Sequence, residues 1–550
     1  MSLHPREIPP IPEATMRVAR AAFPRGSVYM RMRDALGTID EDHQFAHLFP
    51  ARGQPAESPR RLALTTVMQF AEGLSDRQAA DAVRSRIDWK YVLSLELTDP
   101  GFDHTVLREF RTRLLAGNAE QLLLDTLLAR VRERGLLKTR GRQRTDSTHV
   151  LAVIRALNRL ERVGETLRHA LNRVAVVAPD WLRAWVPPEW FDRYGPRMDT
   201  YRLPKTAAAR TALAAVIGAD GRRLLQAVDT LADLPWLREV PAVQTRRQVW
   251  AEHYTDPPGP LRGRERHEMP SPADLITSPY DVEARYCTKR GITWVGYKVH
   301  VTETCEDGQP HLITQVLTTP ATTPDCVMGP AIHHALAQRD LLPGTHLLDG
   351  GYVDADLLVT AQAQHQIEVV GPTFGSYSRQ RREGQGYDLA AFVIDWEAQQ
   401  ARCPQGQTSV KWTPGHDMRG GPVVRIRFDT PTCRACPVRP ACTWAKEAPR
   451  QLTVRPQAQH EAIRAARQHQ ETAAFKAQYA QRAGIEGTHT QAIRRCGLRW
   501  ARYRGLAKTR LQHLITAVAL NVVRLGEWWL GTPQAKTRCS PFAALRVVAA

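Results

Sequence analysis

The chain has no long uninterrupted apolar run. Its most apolar segment, Leu511 to Leu530, still carries Gln512, His513, Asn521 and Arg524, which excludes a membrane span. Met1 to Pro12 contains no compact apolar stretch of the kind that directs secretion, so a cytoplasmic, nucleoid-associated protein is expected. Internal repeats and low-complexity runs are missing. So are a nucleophile elbow and a glycine-rich loop that would cradle phosphate, so neither serine or cysteine nucleophile chemistry nor ATP is implied. Acidic residues are in the minority, 56 against 75 Lys and Arg, for a formal net charge of +19 and a pI near 9.9. A surplus of that size points to a polyanionic partner, nucleic acid first, because Lys and Arg that neutralise phosphates release counterions. The nine cysteines are an odd number. Without a secretion signal, that argues against a disulfide framework and for a reducing compartment.

What is present is an ordinary globular balance, 43% hydrophobic and 24% charged, over 550 residues. That length predicts several domains or one domain with large insertions. The first part reads as helical. A mixed apolar pattern runs from Arg60 to Glu72. Ser75 and Gln78 form a capping box, Asp103 and Asn118 are candidate caps, and Leu122, Leu123, Leu127 and Leu128 recur at helical spacing. A helical N-terminal domain over 1–138 follows, with Arg84, Arg86 and Lys90 placed either for packing or for binding DNA.

Strand signals then alternate with helices. They appear at Gln143 to Val153, Ile292 to Thr304, His311 to Leu317 and His346 to Leu348. Helices are predicted at Asn158 to Val174, Arg210 to Leu234, Pro330 to Arg339 and Asp354 to Gln364. The alternation predicts an α/β core over 139–507, interrupted by a helical insertion at 155–275 and a small cysteine-bearing insertion at 395–450. Gln457 to Arg482 reads as helix, broken at Gly484. A last amphipathic helix from Lys508 to Trp529 opens a C-terminal segment, 508–550.

Three acids stand in unusual settings. Asp146 is a lone acid in the basic, β-prone run Arg144-Thr145-Asp146-Ser147-Thr148-His149. Asp349 ends an apolar run and precedes Gly350, Gly351 and Tyr352. Glu486 sits between glycines in Gly484-Ile485-Glu486-Gly487-Thr488-His489. Three hard oxygen ligands from distant positions can hold two Mg²⁺ ions, which activate the attacking oxygen and stabilise the leaving one in phosphodiester chemistry. With 56 acidic residues in the chain, pattern alone does not single these out.

The combination of motifs does. Arg144 to Val150 resembles the first-aspartate strand of bacterial insertion-sequence DDE transposases, and Leu347-Leu348-Asp349-Gly350-Gly351-Tyr352 resembles their second-aspartate motif. Tyr479, Arg482 and Glu486 match their Tyr-x-x-Arg-x-x-x-Glu pattern. The run Gly497 to Lys508 and the segment Phe102 to Arg111 are similar to the same family. The resemblance spans most of the chain in order. It implies a mixed-sheet, ribonuclease-H-like core with Asp146, Asp349 and Glu486 as catalytic residues and ligands of two Mg²⁺ or Mn²⁺ ions. It also implies cleavage at the ends of a mobile element followed by joining to target DNA, double-stranded DNA as partner, and a homodimer that holds two ends together. Tyr479, Arg482, Arg494, Arg495, Arg502, Arg504 and Lys508 are the DNA-binding candidates. The family pattern continues to a Lys seven residues after the Glu; Ile493 stands there, so that role is open to Arg494, Arg495 or Lys508. Two other readings remain, a transposase-derived DNA-binding protein without catalysis and a ribonuclease-H-like nuclease that cuts without joining.

Cys433-x-x-Cys436, with Cys442 six positions on and Cys403 upstream, offers four thiolates for a structural zinc ion. Members of the resembling family carry a similar cluster. The remaining cysteines, Cys287, Cys305, Cys326, Cys496 and Cys539, are scattered. Asp281, Glu283, Lys298 and His300 give a weaker signal, and His300 is read as a satisfied structural residue.

Overall fold

A computed structural model describes residues 2–5, 7–255, 261–289, 291–374, 383, 385–418 and 420–533. Cys539 lies outside them. The centre is a mixed sheet. Strand β1 (Arg142–Leu151) lies between β2 (Ile292–Thr304), to which it is antiparallel, and β4 (Thr345–Leu348), to which it is parallel. β3 (Ile313–Pro320) pairs antiparallel with β2, and β5 (Glu368–Val370) pairs parallel with β4. The order β3–β2–β1–β4–β5, three antiparallel strands followed by two parallel ones, is the arrangement expected of a ribonuclease-H-like core. A short strand, Arg285–Lys289, hairpins onto the start of β2.

The strands sit where β-branched and aromatic residues alternate with small or polar ones, and Tyr297, Val299 and Val301 of β2 are buried. The predicted capping box forms, and a second one joins it. Ser75 Oγ accepts from the Gln78 amide while Gln78 Oε1 accepts from that of Ser75, and Asn158 and Glu161 repeat the device at the start of Arg159–Val177. Asn118 does not cap a helix. It takes a positive φ of 50° in the turn before Leu122–Glu133.

The helix that was expected to be amphipathic is not. Leu506–Trp529 (α2), which follows α1 (Gly484–Cys496), is surrounded on all sides, with every residue from Leu511 to Val523 buried. Its polar residues are partnered inside the core. Gln512 takes the amide of Arg502 and the carbonyl of Trp500, and His513 meets Thr318. Asn521 of this helix, α2, bonds both the amide and the carbonyl of Ile313 at 2.8 Å, holding β3 in place. Replacing Asn521 by Leu strands two buried backbone groups. A stability loss of about 2–4 kcal/mol is expected in urea unfolding, against less than 0.5 kcal/mol for an exposed polar position.

The N-terminal helices share one continuous core with the sheet and α2. Their basic residues are largely committed to internal contacts. Arg86 pairs with Glu72 and Asp88, and buried Lys90 bonds the carbonyls of Glu96 and Asp99, so of the three candidates only Arg84 is exposed. The segment between β1 and β2 carries Arg159–Val177, Ala207–Thr230 and Pro241–His253 around a separate core that includes Leu167, Ile217, Leu224 and Val249. After β5 comes a small three-stranded antiparallel sheet of Lys411–His416, Pro422–Arg427 and Gln451–Val454, packed around Phe392, Ile426, Phe428 and Leu452.

Candidate active site

The parallel pairing of β1 and β4 brings two of the acids together. Thr145 is registered against Leu348, so the next residue on each strand, Asp146 and Asp349, stands side by side at the end of that ladder. The third acid arrives on the first turn of α1. The expected break at Gly484 is absent. Ala473–Ala480 passes through a single 3₁₀ turn, Gln481–Ala483, directly into α1. Gly484 has an ordinary helical φ of −62°. It is needed for space, because a Cβ there would lie 2.1 Å from Arg144 Nη1.

Continuity of the turn puts Arg482 and Glu486 on one face at i and i+4. Arg482 donates from Nη1 to Asp146 Oδ2 at 2.9 Å and from Nη2 to Glu486 Oε1 at 3.4 Å. Its guanidinium lies over the Tyr479 ring, 5.7 Å from the centroid. Burial opposes the charge on Arg482, but Asp146, Tyr479 and Asp349 together outweigh it and raise its pKa. The three motifs therefore meet, with the Arg482 cation held between two of the three acids.

The other DNA-binding candidates divide. Arg494 and Lys508 are exposed. Arg495 donates to the carbonyl of Ala71 and Arg502 to that of Leu74, which ties the C-terminal run to the N-terminal helices. Arg504 stacks over Tyr280. Ile493 packs against the core and presents no phosphate ligand.

The surroundings include Asp325, which the sequence did not mark. Asp325 takes bonds from Lys289, Lys298 and Ser147, and a Cβ on Gly351 would lie 3.6 Å from both Asp325 and Asp349. His300 is buried and satisfied as read, with Nδ1 2.6 Å from Tyr352 Oη and Nε2 3.2 Å from Thr319 Oγ1. Burial and the nearby charge of Asp325 keep Tyr352 protonated far above the ordinary range. Asp281 and Glu283 serve α2: their carboxylates accept the amides of Gly505 and Leu506 at its start.

The four cysteines of the small insertion, Cys403, Cys433, Cys436 and Cys442, line one cavity together with Phe428 and Arg450. Burial raises the Cys442 thiol pKa. The neighbouring sulfurs add to the rise, and Arg450 opposes it. Among the described residues, no group of three or more His, Cys, Asp or Glu side chains stands close enough to hold a metal ion as placed. The oxygen donor set at Asp146, Asp349 and Glu486 nevertheless suits a hard cation, and Asp146 and Glu486 already share a positive group.

Two family models match the chain: a transposase DDE domain over residues 402–526 and a transposase domain (DUF772) over residues 17–113. Together the two matches support an insertion-sequence DDE transposase. The first match takes in Tyr479, Arg482, Glu486 and the four clustered cysteines of this transposase, and the second lies within its N-terminal helices. Asp146 and Asp349 fall outside both and join the site through the sheet. No curated protein and no solved structure matches the transposase. None of its described helices is long and apolar enough to cross a membrane.

Proposed function

We propose that this transposase cleaves the ends of its insertion sequence and joins them to target DNA, with Asp146, Asp349 and Glu486 as the catalytic acids. The observation that supports this reading is that Arg482 pairs with both Asp146 and Glu486 while Asp349 stands beside Asp146 at the end of the β1–β4 ladder. These three carboxylates would hold two Mg²⁺ or Mn²⁺ ions. Such a pair supplies charge stabilisation at both the attacking and the leaving oxygen. Arg482 has a guanidinium suited to bidentate contact with the phosphate beside the cut, and Tyr479 stacks under it to fix its plane. Exposed Arg494 and Lys508 carry charge toward the DNA backbone, as does Arg504 from its seat on Tyr280, which suits the salt-dependent binding of a protein with a net charge of +19. Arg495 and Arg502 hold the catalytic core against the N-terminal helices, so their effect on DNA binding is indirect.

A linear DNA carrying one element end, incubated with the protein and a supercoiled target plasmid, separates the possibilities. Covalent joining of the end to the plasmid supports transposition. Cutting without joining favours a nuclease, and binding with neither favours a DNA-binding descendant. Light scattering of the protein with end DNA tests the paired complex, for which a mass of two protomers is expected.

We also propose that Cys403, Cys433, Cys436 and Cys442 close on a structural zinc ion that staples the small insertion. The purified protein is expected to contain one zinc per chain, and a Cys433→Ser, Cys436→Ser variant to contain almost none. A variant that keeps full zinc contradicts the assignment.

A further inference from the structure

Glu486 itself has little that fixes it. Its side chain is 68% exposed, and its ion pair to Arg482 is 3.4 Å long. Its position is set by the helix that carries it, and the buried side of that helix is fastened at four successive points. Arg144, two residues before Asp146 on β1, donates from Nη1 to the carbonyl of Gln481 at 2.6 Å, and the same guanidinium lies against Gly484. Thr488 Oγ1 donates to Glu303 Oε2 at 2.7 Å and accepts from Arg524 Nη2 at 2.6 Å. Arg524 also takes Gln491 at 2.9 Å. Glu303, fully buried on β2, bridges Arg144 and Arg524 at 2.7 Å each.

We infer that the cluster Arg144, Glu303, Thr488 and Arg524 is the positioning device for Glu486, coupling the strand that bears Asp146 to the helix that bears the third acid. The inference rests on the reading of Asp146, Asp349 and Glu486 as the metal-holding set. Arg144 connects both ends of the pair: one side chain from the Asp146 strand grips the turn that leads into Glu486. Thr488 lies just over half a turn beyond Glu486, so its two bonds settle the rotation of α1 about its own axis. In this role the four residues act through Glu486 and not on the reacting phosphate. Their effect is to keep the separation between Glu486 and the two aspartates within the narrow range that a shared pair of ions tolerates.

Thr488→Val keeps the shape of the side chain and removes both hydroxyl bonds. The first measurement is Mn²⁺ binding to the free protein, followed by electron paramagnetic resonance. The second is the Mn²⁺ dependence of end cleavage, with DNA affinity and thermal unfolding recorded beside them. For Thr488→Val, the half-saturating Mn²⁺ concentration is expected to rise about tenfold, and the cleavage rate at saturating DNA to fall on the order of 10²-fold, as for a misplacement near 1 Å. DNA affinity is expected to stay unchanged, and Thr488→Ser, which restores the hydroxyl, to return both values to within about threefold of wild type. Gly484→Ala, which displaces the Arg144 guanidinium, should show the same pattern.

Normal Mn²⁺ binding and cleavage in both Thr488→Val and Gly484→Ala overturns the positioning role while leaving the acid triad intact. If the wild type and a Glu486→Gln variant cleave equally, the triad reading fails, and the inference fails with it.

Discussion

Asp349→Asn is expected to lower end cleavage by about 10³-fold or more while leaving the affinity for end DNA within about threefold. The substitution keeps the size and the polar atoms of the side chain and removes one negative charge. In two-metal chemistry a ligand of that kind supplies several kcal/mol at the transition state, and each 1.36 kcal/mol is a factor of ten in rate. DNA affinity depends on phosphate neutralisation by Lys and Arg, and the chain carries 75 of these. Removing a carboxylate from a phosphate-binding surface does not weaken that attraction. The same split is expected for Asp146→Asn. There Arg482 loses the negative charge of the partner that it holds at 2.9 Å, so DNA affinity should shift more than in Asp349→Asn. Single-turnover cleavage of a labelled end, alongside a binding titration at fixed salt, reads both quantities. An Asp349→Asn protein that cuts at the wild-type rate contradicts the role of this residue.

The second large effect is on stability. Glu303→Ala is expected to destabilise the fold by about 3–5 kcal/mol, the usual cost of leaving buried partners with uncompensated charge. Two guanidiniums, Arg144 and Arg524, would lose their shared carboxylate, and the Thr488 hydroxyl would lose its acceptor. The pH dependence follows from the same contacts. Burial pushes the Glu303 carboxyl up, but the charges of Arg524 and Arg144 and the Thr488 bond prevail and hold it down at about 2, against 4.5 in the unfolded chain. A depressed folded pKa gives stability that is complete above the unfolded value and is lost as the pH falls through the folded one. Wild-type urea midpoints should therefore fall between about pH 4.5 and pH 2, and the Glu303→Ala protein should lack that component. Equal midpoints for the two proteins at pH 7 contradict the account.

Much of the site was legible in the sequence because its residues sit at local landmarks. Asp349 ends a short apolar strand, and Asp146 breaks a basic β-prone run. Tyr479, Arg482 and Glu486 keep a helical spacing that survives in the folded chain. What was misread depends on distant partners. Gly484 looked like a helix breaker because glycine weakens helices. Its purpose is to admit Arg144, a residue 340 positions earlier in the chain. Arg86 and Lys90 were open to packing or to DNA by charge alone, and no charge count shows that a carbonyl from the next loop already binds the lysine. The helix that carries Gln512, His513 and Asn521 read as amphipathic. These three are the residues that satisfy backbone and side-chain groups inside the core, a use that depends on which strand the helix crosses. Glu303 carried no signal at all, since an acid 159 residues from Arg144 declares itself only when β1 and β2 pair.

The central claim is metal-dependent cutting at the ends of the element by this site. Its most direct measurement is cleavage of a supercoiled plasmid that carries the gene with its flanking DNA, using the wild-type protein with Mg²⁺, with Mn²⁺ and with a chelator, and mapping the cuts to the nucleotide. Cuts confined to the element boundaries, present with either metal and abolished by the chelator, are the result the account predicts. Boundary-specific binding with no cuts under any of the three conditions contradicts it.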